Sequence, residues 1–216
     1  MTYLLYILLS LLCYVVGSIP TAFIVVKLFT GKNVMEHGTG NVGTMNTHRT
    51  TNSKVLTLLV LLGDLGKGAV AYLLAGLLIP EMDNRTLALV LAGTLSVIGH
   101  NYSLFLQFKG GKGLATGAGF LALVHPGIVG VWIGAWIVVM LLTRIMVLGQ
   151  IIATVVTPLI TWLILPEHLP VSFAISLPVF IKHAPRIKNI LNGTEPKLYY
   201  KVRDTDPSST DKENKG

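Results

Sequence analysis

Residues 55–79 read VLTLLVLLGDLGKGAVAYLLAGLLI, an apolar run broken by one acid and one base. About 20 apolar residues make a helix long enough to cross a bilayer, so this run is read as a membrane span. Asp64 and Lys67 stand three apart near its middle. On a helix they share a face and can pair, and pairing inside a bundle is what makes two such charges tolerable in hydrocarbon. Gly63, Gly66 and Gly68 around them permit close helix contact. We read the two as a structural ion pair that lines a helical bundle.

Outward from this run, further apolar stretches cover residues 3–29, 86–108, 114–124, 128–142, 147–165 and 169–181. The expectation is an all-α, polytopic integral membrane bundle of about seven membrane helices. The stretches 114–124 and 169–181 are short. The first of these, with 128–142, reads as a hairpin of half-length helices turning at His125-Pro126-Gly127. Composition agrees: 52% of residues are hydrophobic and 12% charged, with mean hydropathy +0.66. Soluble domains carry about twice that charge. The lone cysteine, Cys13, excludes an internal disulfide and a cysteine-based metal site. The first run has no basic lead and no small-residue cleavage pattern, so it reads as a retained helix.

Charge sets the expected orientation. One side of the bundle receives Lys32, Arg49, Lys54, Lys109, Lys112, Arg144 and everything after Lys182. The other receives Arg85, with Glu81 and Asp83, then His125, Glu167 and His168. Basic loops stay in the cytoplasm, which puts the N-terminus outside and the C-terminus inside. We expect one membrane domain, residues 1–203, and a disordered polar tail, 204–216. The net charge of +7 lies mostly in loops. Without interleaved aromatics it points to membrane topology and phosphate contact, not to nucleic acid.

Three segments on the basic side carry the chemistry. Lys109-Gly110-Gly111-Lys112-Gly113 places glycines, whose backbone N–H groups can close around an oxyanion, between two lysines; it also reads as a helix end solvated by lysines. Residues 36–49 hold three glycines, two asparagines, three threonines and Arg49. That set supplies amide and hydroxyl donors and one guanidinium fork, and it also suits a solvated connector. Residues 183–197 read as an interfacial amphipathic helix with Ile187, Ile190 and Leu191 at helical spacing, ended by Asn192-Gly193. Glu195 stands out there as an acid, expected to pair with Arg49 or a lysine. His100, inside a span, is a candidate by position. There is no His-Asp acyltransferase dyad, no Gly-x-Ser-x-Gly elbow, no Walker loop and no aspartate cluster for a metal. A membrane enzyme with such loops works by positioning and charge.

Together the three segments resemble the bacterial acyl-phosphate:glycerol-3-phosphate acyltransferase family, from Gly17-Ser18-Ile19-Pro20 to Glu195-Pro196-Lys197. The first motif stands as residues 38–49. The second is Gly99-His100 with residues 108–113, and the third is His183 with Gly193-Thr194-Glu195. The resemblance implies transfer of a fatty acyl group from a long-chain acyl phosphate to the 1-hydroxyl of glycerol 3-phosphate, giving lysophosphatidate and inorganic phosphate. The implied setting is the bacterial cytoplasmic (inner) membrane, with the site facing the cytoplasm, membrane lipids around it, and no cofactor or metal. The residues it implies for catalysis are Thr39, Arg49 and Lys112. For substrate binding they are Asn41, Gly43, Asn46, His100, Lys109, Gly110, Gly111, Gly113, His183, Arg186, Thr194 and Glu195. The chain departs from the family pattern at Thr39 (serine), Thr44-Met45 (Ala-Thr), Asn33-Val34-Met35 (Asp-Ile-Arg) and Arg186 (asparagine). The alternatives are a membrane carrier or receptor for phosphorylated metabolites, and a divergent paralogue with altered activity.

Overall fold

The computed structural model describes residues 2–80 and 85–197. The expected tail at 204–216, and the acids Glu81 and Asp83, lie outside the described residues. Within them the chain is all-helical: α1 (Thr2–Ser18), α2 (Thr21–Thr30), α3 (Thr44–Thr51), α4 (Lys54–Leu78), α5 (Arg85–Asn101), α6 (Leu114–Val124), α7 (Pro126–Thr143), α8 (Met146–Ile164), α9 (Leu169–His183) and α10 (Ile187–Leu191), with short 3-10 turns between some of them. Five segments are long and apolar enough to cross a membrane: Tyr3–Thr30, Lys54–Leu78, Arg85–Leu106, Pro126–Thr143 and Met146–Ile164. The other two expected crossings are the eleven-residue α6 and the fifteen-residue α9.

Three boundaries differ from the sequence reading. The first run is not one rod, because Pro20 cannot donate to the turn before it, so α1 ends at Ser18 and α2 starts at Thr21. The third run stops as a helix at Asn101. Residues 102–108 leave it through a short 3-10 turn, with Gln107 and Phe108 at positive φ. The expected hairpin of two half-length helices has one short arm only. His125 does form the turn, its Nδ1 accepting from Gly127 N–H at 3.2 Å, but α7 runs for 18 residues.

Hydrophobic contact between helices is not what holds a bundle in lipid; close packing is. Here it rests on two reciprocal glycine pairs. In α1 against α5, a Cβ on Gly17 would strike the Ser96 carbonyl, and one on Gly99 the Tyr14 carbonyl. In α4 against α6, a Cβ on Gly68 would strike the Thr116 carbonyl, and one on Gly119 the Leu65 carbonyl. Around these contacts Leu9, Cys13, Ala71, Ala92, Phe120 and Ile175 form the main core. A second core of Val26, Val34, Val42 and Val60 lies under the 36–49 segment. Helix α7 buries Ile128 and presents Ile137, Val138, Leu141 and Leu142 outward, as a lipid-facing helix does.

Candidate functional site

The alternation of helices brings the three segments to one end of the bundle, and specific bonds shape each of them. In the first, residues 44–51 are helical, although the sequence reads as polar connector. The reason is Asn46, which is 1% exposed. Its Oδ1 accepts from Thr39 N–H at 2.8 Å and from the Thr39 hydroxyl at 3.1 Å. Its Nδ2 donates to the Val34 and His37 carbonyls at 2.9 and 3.0 Å. An amide has two donors and one twice-accepting oxygen, so Asn46 is saturated inside the segment. Expected to touch substrate, it instead holds the glycine-rich loop in shape and pins Thr39. Asn41 and Gly43 sit half-buried at the N-terminus of α3.

The second segment wraps the end of α5. Gly111 N–H donates to the His100 carbonyl at 3.0 Å, and Lys109 N–H to Leu106. No side chain fits at Gly111: a Cβ would fall on His100 Nε2 and within 2.8 Å of the Val42 carbonyl oxygen. The two glycine loops therefore touch at Val42 and Gly111. Gly113 caps α6 with φ +79°, the left-handed region that glycine occupies without penalty. The first intrahelical bond of α6 is Gly117 N–H to Gly113. The N–H groups of Leu114, Ala115 and Thr116 thus have no partner among the described residues, as at any helix start, and they give this corner the character of an anion site. The two lysines diverge. Lys112 is half-buried at the mouth, whereas Lys109 is exposed and pairs with nothing among the described residues.

The third segment closes the site from the other side. Glu195 is buried, and Arg186 grips it with Nε to Oε2 at 2.9 Å and Nη2 to Oε1 at 2.7 Å. The expected partner, Arg49 or a lysine, is corrected to Arg186. The chain turns back after α10 at Gly193, with φ +68°, so that Glu195 returns to the residue that precedes α10. The Thr194 hydroxyl donates to the Asn189 carbonyl. His183 is 1% exposed, with Nδ1 donating to the Val179 carbonyl at 2.8 Å and Nε2 3.3 Å from the Gln150 amide. With the ring proton on Nδ1, Nε2 is an acceptor, and the Gln150 atom beside it, Oε1, accepts as well, so the Nε2 lone pair is left for a donor other than Gln150.

What converges is charge. The field at Lys112 is set by Arg186, Glu195 and Arg49, and burial, the largest cause, pushes its pKa down from the ordinary lysine range to about 8; the Arg186 cation adds to that fall, Glu195 opposes it, and Arg49 adds to it. Arg49 is exposed on α3. Among the described residues neither Arg49 nor Lys112 has a hydrogen bond or an ion pair of its own. Two uncommitted cations, one fork-shaped and one partly desolvated, thus stand beside the free amides of α6. Such a set grips phosphate oxygens and stabilises developing negative charge.

Below the mouth, the pair read from the sequence is present: Lys67 Nζ lies 2.7 Å from Asp64 Oδ1. It also reaches the Ile19 carbonyl at 2.9 Å and His100 Nδ1 at 3.2 Å. Three supporting residues escaped the sequence reading. Asn101 ties α5 to α9 through the Pro178 carbonyl at 3.0 Å. Lys182 caps α5 at the Asn101 carbonyl, 2.8 Å away, and lies over the Tyr102 ring. Gln150 meets His183. The signal was there for each: a polar residue inside or at the end of an apolar run.

Residues 7–193 match the profile of the family described as Glycerol-3-phosphate acyltransferase. A glycerol-3-phosphate acyltransferase of Macrococcus caseolyticus is 37% identical over 90% of this chain and 97% of its own length. One from a Geobacillus species is 44% identical over 86% of this chain and 92% of its own. A shorter match, to the Exiguobacterium sibiricum protein, is 45% identical and spans about half of each chain, 54% here and 53% there. The crystal structure of PlsY (YgiH), an integral membrane glycerol 3-phosphate acyltransferase in its glycerol 3-phosphate form, superposes with a TM-score of 0.77 at 29% identity, covering 89% of this chain and 94% of that one. The same enzyme in its lysophosphatidic acid form gives 0.76. Matched along nearly its whole length in sequence and in helix arrangement, the protein belongs to the glycerol-3-phosphate acyltransferase family and is an integral membrane acyltransferase.

Proposed function

We propose that the protein transfers a fatty acyl group from a long-chain acyl phosphate to the 1-hydroxyl of glycerol 3-phosphate, at the cytoplasmic face of the bacterial inner membrane, with its N-terminus outside. The observation that carries this is the pair of uncommitted cations, Arg49 and Lys112, gathered with the free α6 amides at the end of the bundle that holds the basic loops. Both substrates present a phosphate to such a mouth, and an apolar bundle offers room for an acyl tail. The hydroxyl oxygen forms a bond to the acyl carbon, the bond from that carbon to the phosphate oxygen breaks, and inorganic phosphate leaves. An acyl phosphate is already activated, so the site needs no covalent intermediate. A phosphate oxygen held by Arg49 and Lys112 accepts the hydroxyl proton, and no side chain has to serve as base. The lysophosphatidic acid and glycerol 3-phosphate forms of the structural neighbour support this product and this acceptor.

The test is to incubate the purified protein with palmitoyl phosphate and glycerol 3-phosphate and to follow phosphate release together with lipid product. Release of phosphate that depends on glycerol 3-phosphate, with one acyl ester formed per phosphate, is the expected result. An acyl-CoA that serves while the acyl phosphate does not would refute the donor.

A further inference from the structure

The mouth rests on a buried triangle of side chains, an ion pair and an imidazole, that the reaction just described does not use. Asp64 and Lys67 project from α4 and His100 from α5, all less than a tenth exposed. An ammonium has three donors and no acceptor. Lys67 engages three groups: Asp64 Oδ1 at 2.7 Å, the Ile19 carbonyl at 2.9 Å and His100 Nδ1 at 3.2 Å. Since the lysine only donates, Nδ1 must accept, and its lone pair is occupied. In the neutral ring the proton then sits on Nε2. Asp64 Oδ1 is 3.7 Å from Nδ1, too far for a hydrogen bond, and Lys182 donates to the Asn101 carbonyl rather than to the ring.

The protonated nitrogen has a definite place. Nε2 lies 2.1 Å from where a Cβ on Gly111 would fall, a point itself 2.8 Å from the Val42 carbonyl oxygen, at the contact of the two glycine loops. Ser18, Thr21, Val42, Lys67, His100 and Gly111 are among the residues that line a cleft there. In the same cleft the Ser18 hydroxyl, on a residue 1% exposed, has no partner among the described residues. A buried hydroxyl without a partner marks a place where an oxygen-bearing group completes the bonding.

We propose that Lys67 is a positioning residue that fixes His100 as the Nε2–H tautomer, so that the imidazole offers a neutral hydrogen-bond donor to a substrate oxygen in the cleft beneath Gly111. His100 is then no base: one nitrogen carries its proton and the other is covered by an ammonium. This rests on the acyl-transfer reading for the identity of the oxygen, not for the tautomer.

The experiment is 15N NMR of the full-length protein labelled at histidine and held in lipid nanodiscs, with the His100 signals assigned by their loss in His100→Gln. Wild type should show Nδ1 unprotonated and Nε2 protonated; a proton on Nδ1 overturns the proposal outright. Lys67→Met removes the donor and leaves the Asp64 carboxylate as the nearest acceptor. The tautomer should invert, and kcat with palmitoyl phosphate should fall about 10- to 100-fold, the loss expected for one hydrogen bond to a charged group, while KM for glycerol 3-phosphate moves little. Lys67→Gln keeps an N–H donor and should restore Nε2–H and most of the rate. Unchanged Nε2–H with full turnover in Lys67→Met overturns the role of Lys67. Should Lys67→Met not fold, Lys67→Gln decides, because an inverted ring with full turnover overturns the role equally. A wild-type protein with Nε2–H on His100 that releases no phosphate refutes the acyl-phosphate reading and leaves the tautomer assignment standing.

Discussion

Lys112 carries its own pH signature. A lysine whose folded pKa is about 8 is about nine-tenths charged at pH 7 and about one-tenth charged at pH 9, whereas an ordinary lysine stays charged across that range. If the charged form holds substrate phosphate, kcat/KM should fall about tenfold between pH 7 and pH 9, because kcat/KM follows the free enzyme's essential groups. The sign follows from the direction of the shift: the depressed pKa is that of a cation, so binding is intact below it and lost as pH rises through it. Substrate phosphate loses its second proton near pH 6, well below this limb. The perturbation is Lys112→Arg, which keeps a cation that does not deprotonate. The variant should lose absolute rate through changed geometry and should show no alkaline limb. The assay is initial phosphate release at limiting glycerol 3-phosphate in detergent, from pH 6 to 9.5. A flat wild-type profile over that range, or the same limb in Lys112→Arg, would refute the assignment of Lys112 to the phosphate.

Four further outcomes follow from the geometry. Arg49→Ala removes an uncommitted fork from the mouth and should lower kcat/KM by about 10- to 100-fold, since a hydrogen bond to a charged group is worth about 1.5–3 kcal/mol; its thermal midpoint should not change, because the exposed side chain pairs with nothing among the described residues. Asn46→Asp sets a carboxylate against the Val34 and His37 carbonyls and should cost roughly 1–3 kcal/mol of stability, read as a lower melting temperature. Glu195→Gln breaks the bidentate grip of Arg186 and should lower both melting temperature and turnover; a fully stable but inactive variant would move Glu195 from bracing to direct chemistry. Thr39→Ser should keep its bond to Asn46 and stay active, whereas Thr39→Val, close in shape but without the hydroxyl, should not, and equal rates for the two variants would remove the hydroxyl from the site.

Legibility from the sequence varied with the kind of information each element needs. Residues 55–79 and 147–165 announce themselves through hydropathy alone, and the helices α4 and α8 follow them closely. The i,i+3 spacing of Asp64 and Lys67 was enough to predict their bond. The break at Pro20 was visible as a residue but masked by unbroken hydrophobicity on both sides. Helix α3 was invisible to hydropathy because its sequence, Thr-Met-Asn-Thr-His-Arg-Thr-Thr, is polar; it is organised by a side-chain amide reaching back across the loop. The partner of Glu195 could not be read because it depends on the turn at Gly193. Asn46 carries one lesson. A polar residue in a functional motif supports the site when its bonds are all internal, and only coordinates reveal that they are.

The reciprocal glycine contacts have a mechanical consequence. Helices that meet backbone to backbone have no side chains between them to change rotamer, so each pair, α1 with α5 and α4 with α6, moves as a stiff plank. The loops of the mouth hang from the ends of these planks: residues 102–113 run from α5 to α6, and Lys67 stands on α4. A bilayer that thickens or thins as its lipids change exerts stress through hydrophobic mismatch. The helix that faces this stress is the outer, lipid-facing α7, and it too is held by a glycine: a Cβ on Gly149 of α8 would stand 3.0 Å from the Trp136 carbonyl oxygen. The contact between Val42 and Gly111 is carried by the segments before α3 and between α5 and α6, neither of which is anchored on α7.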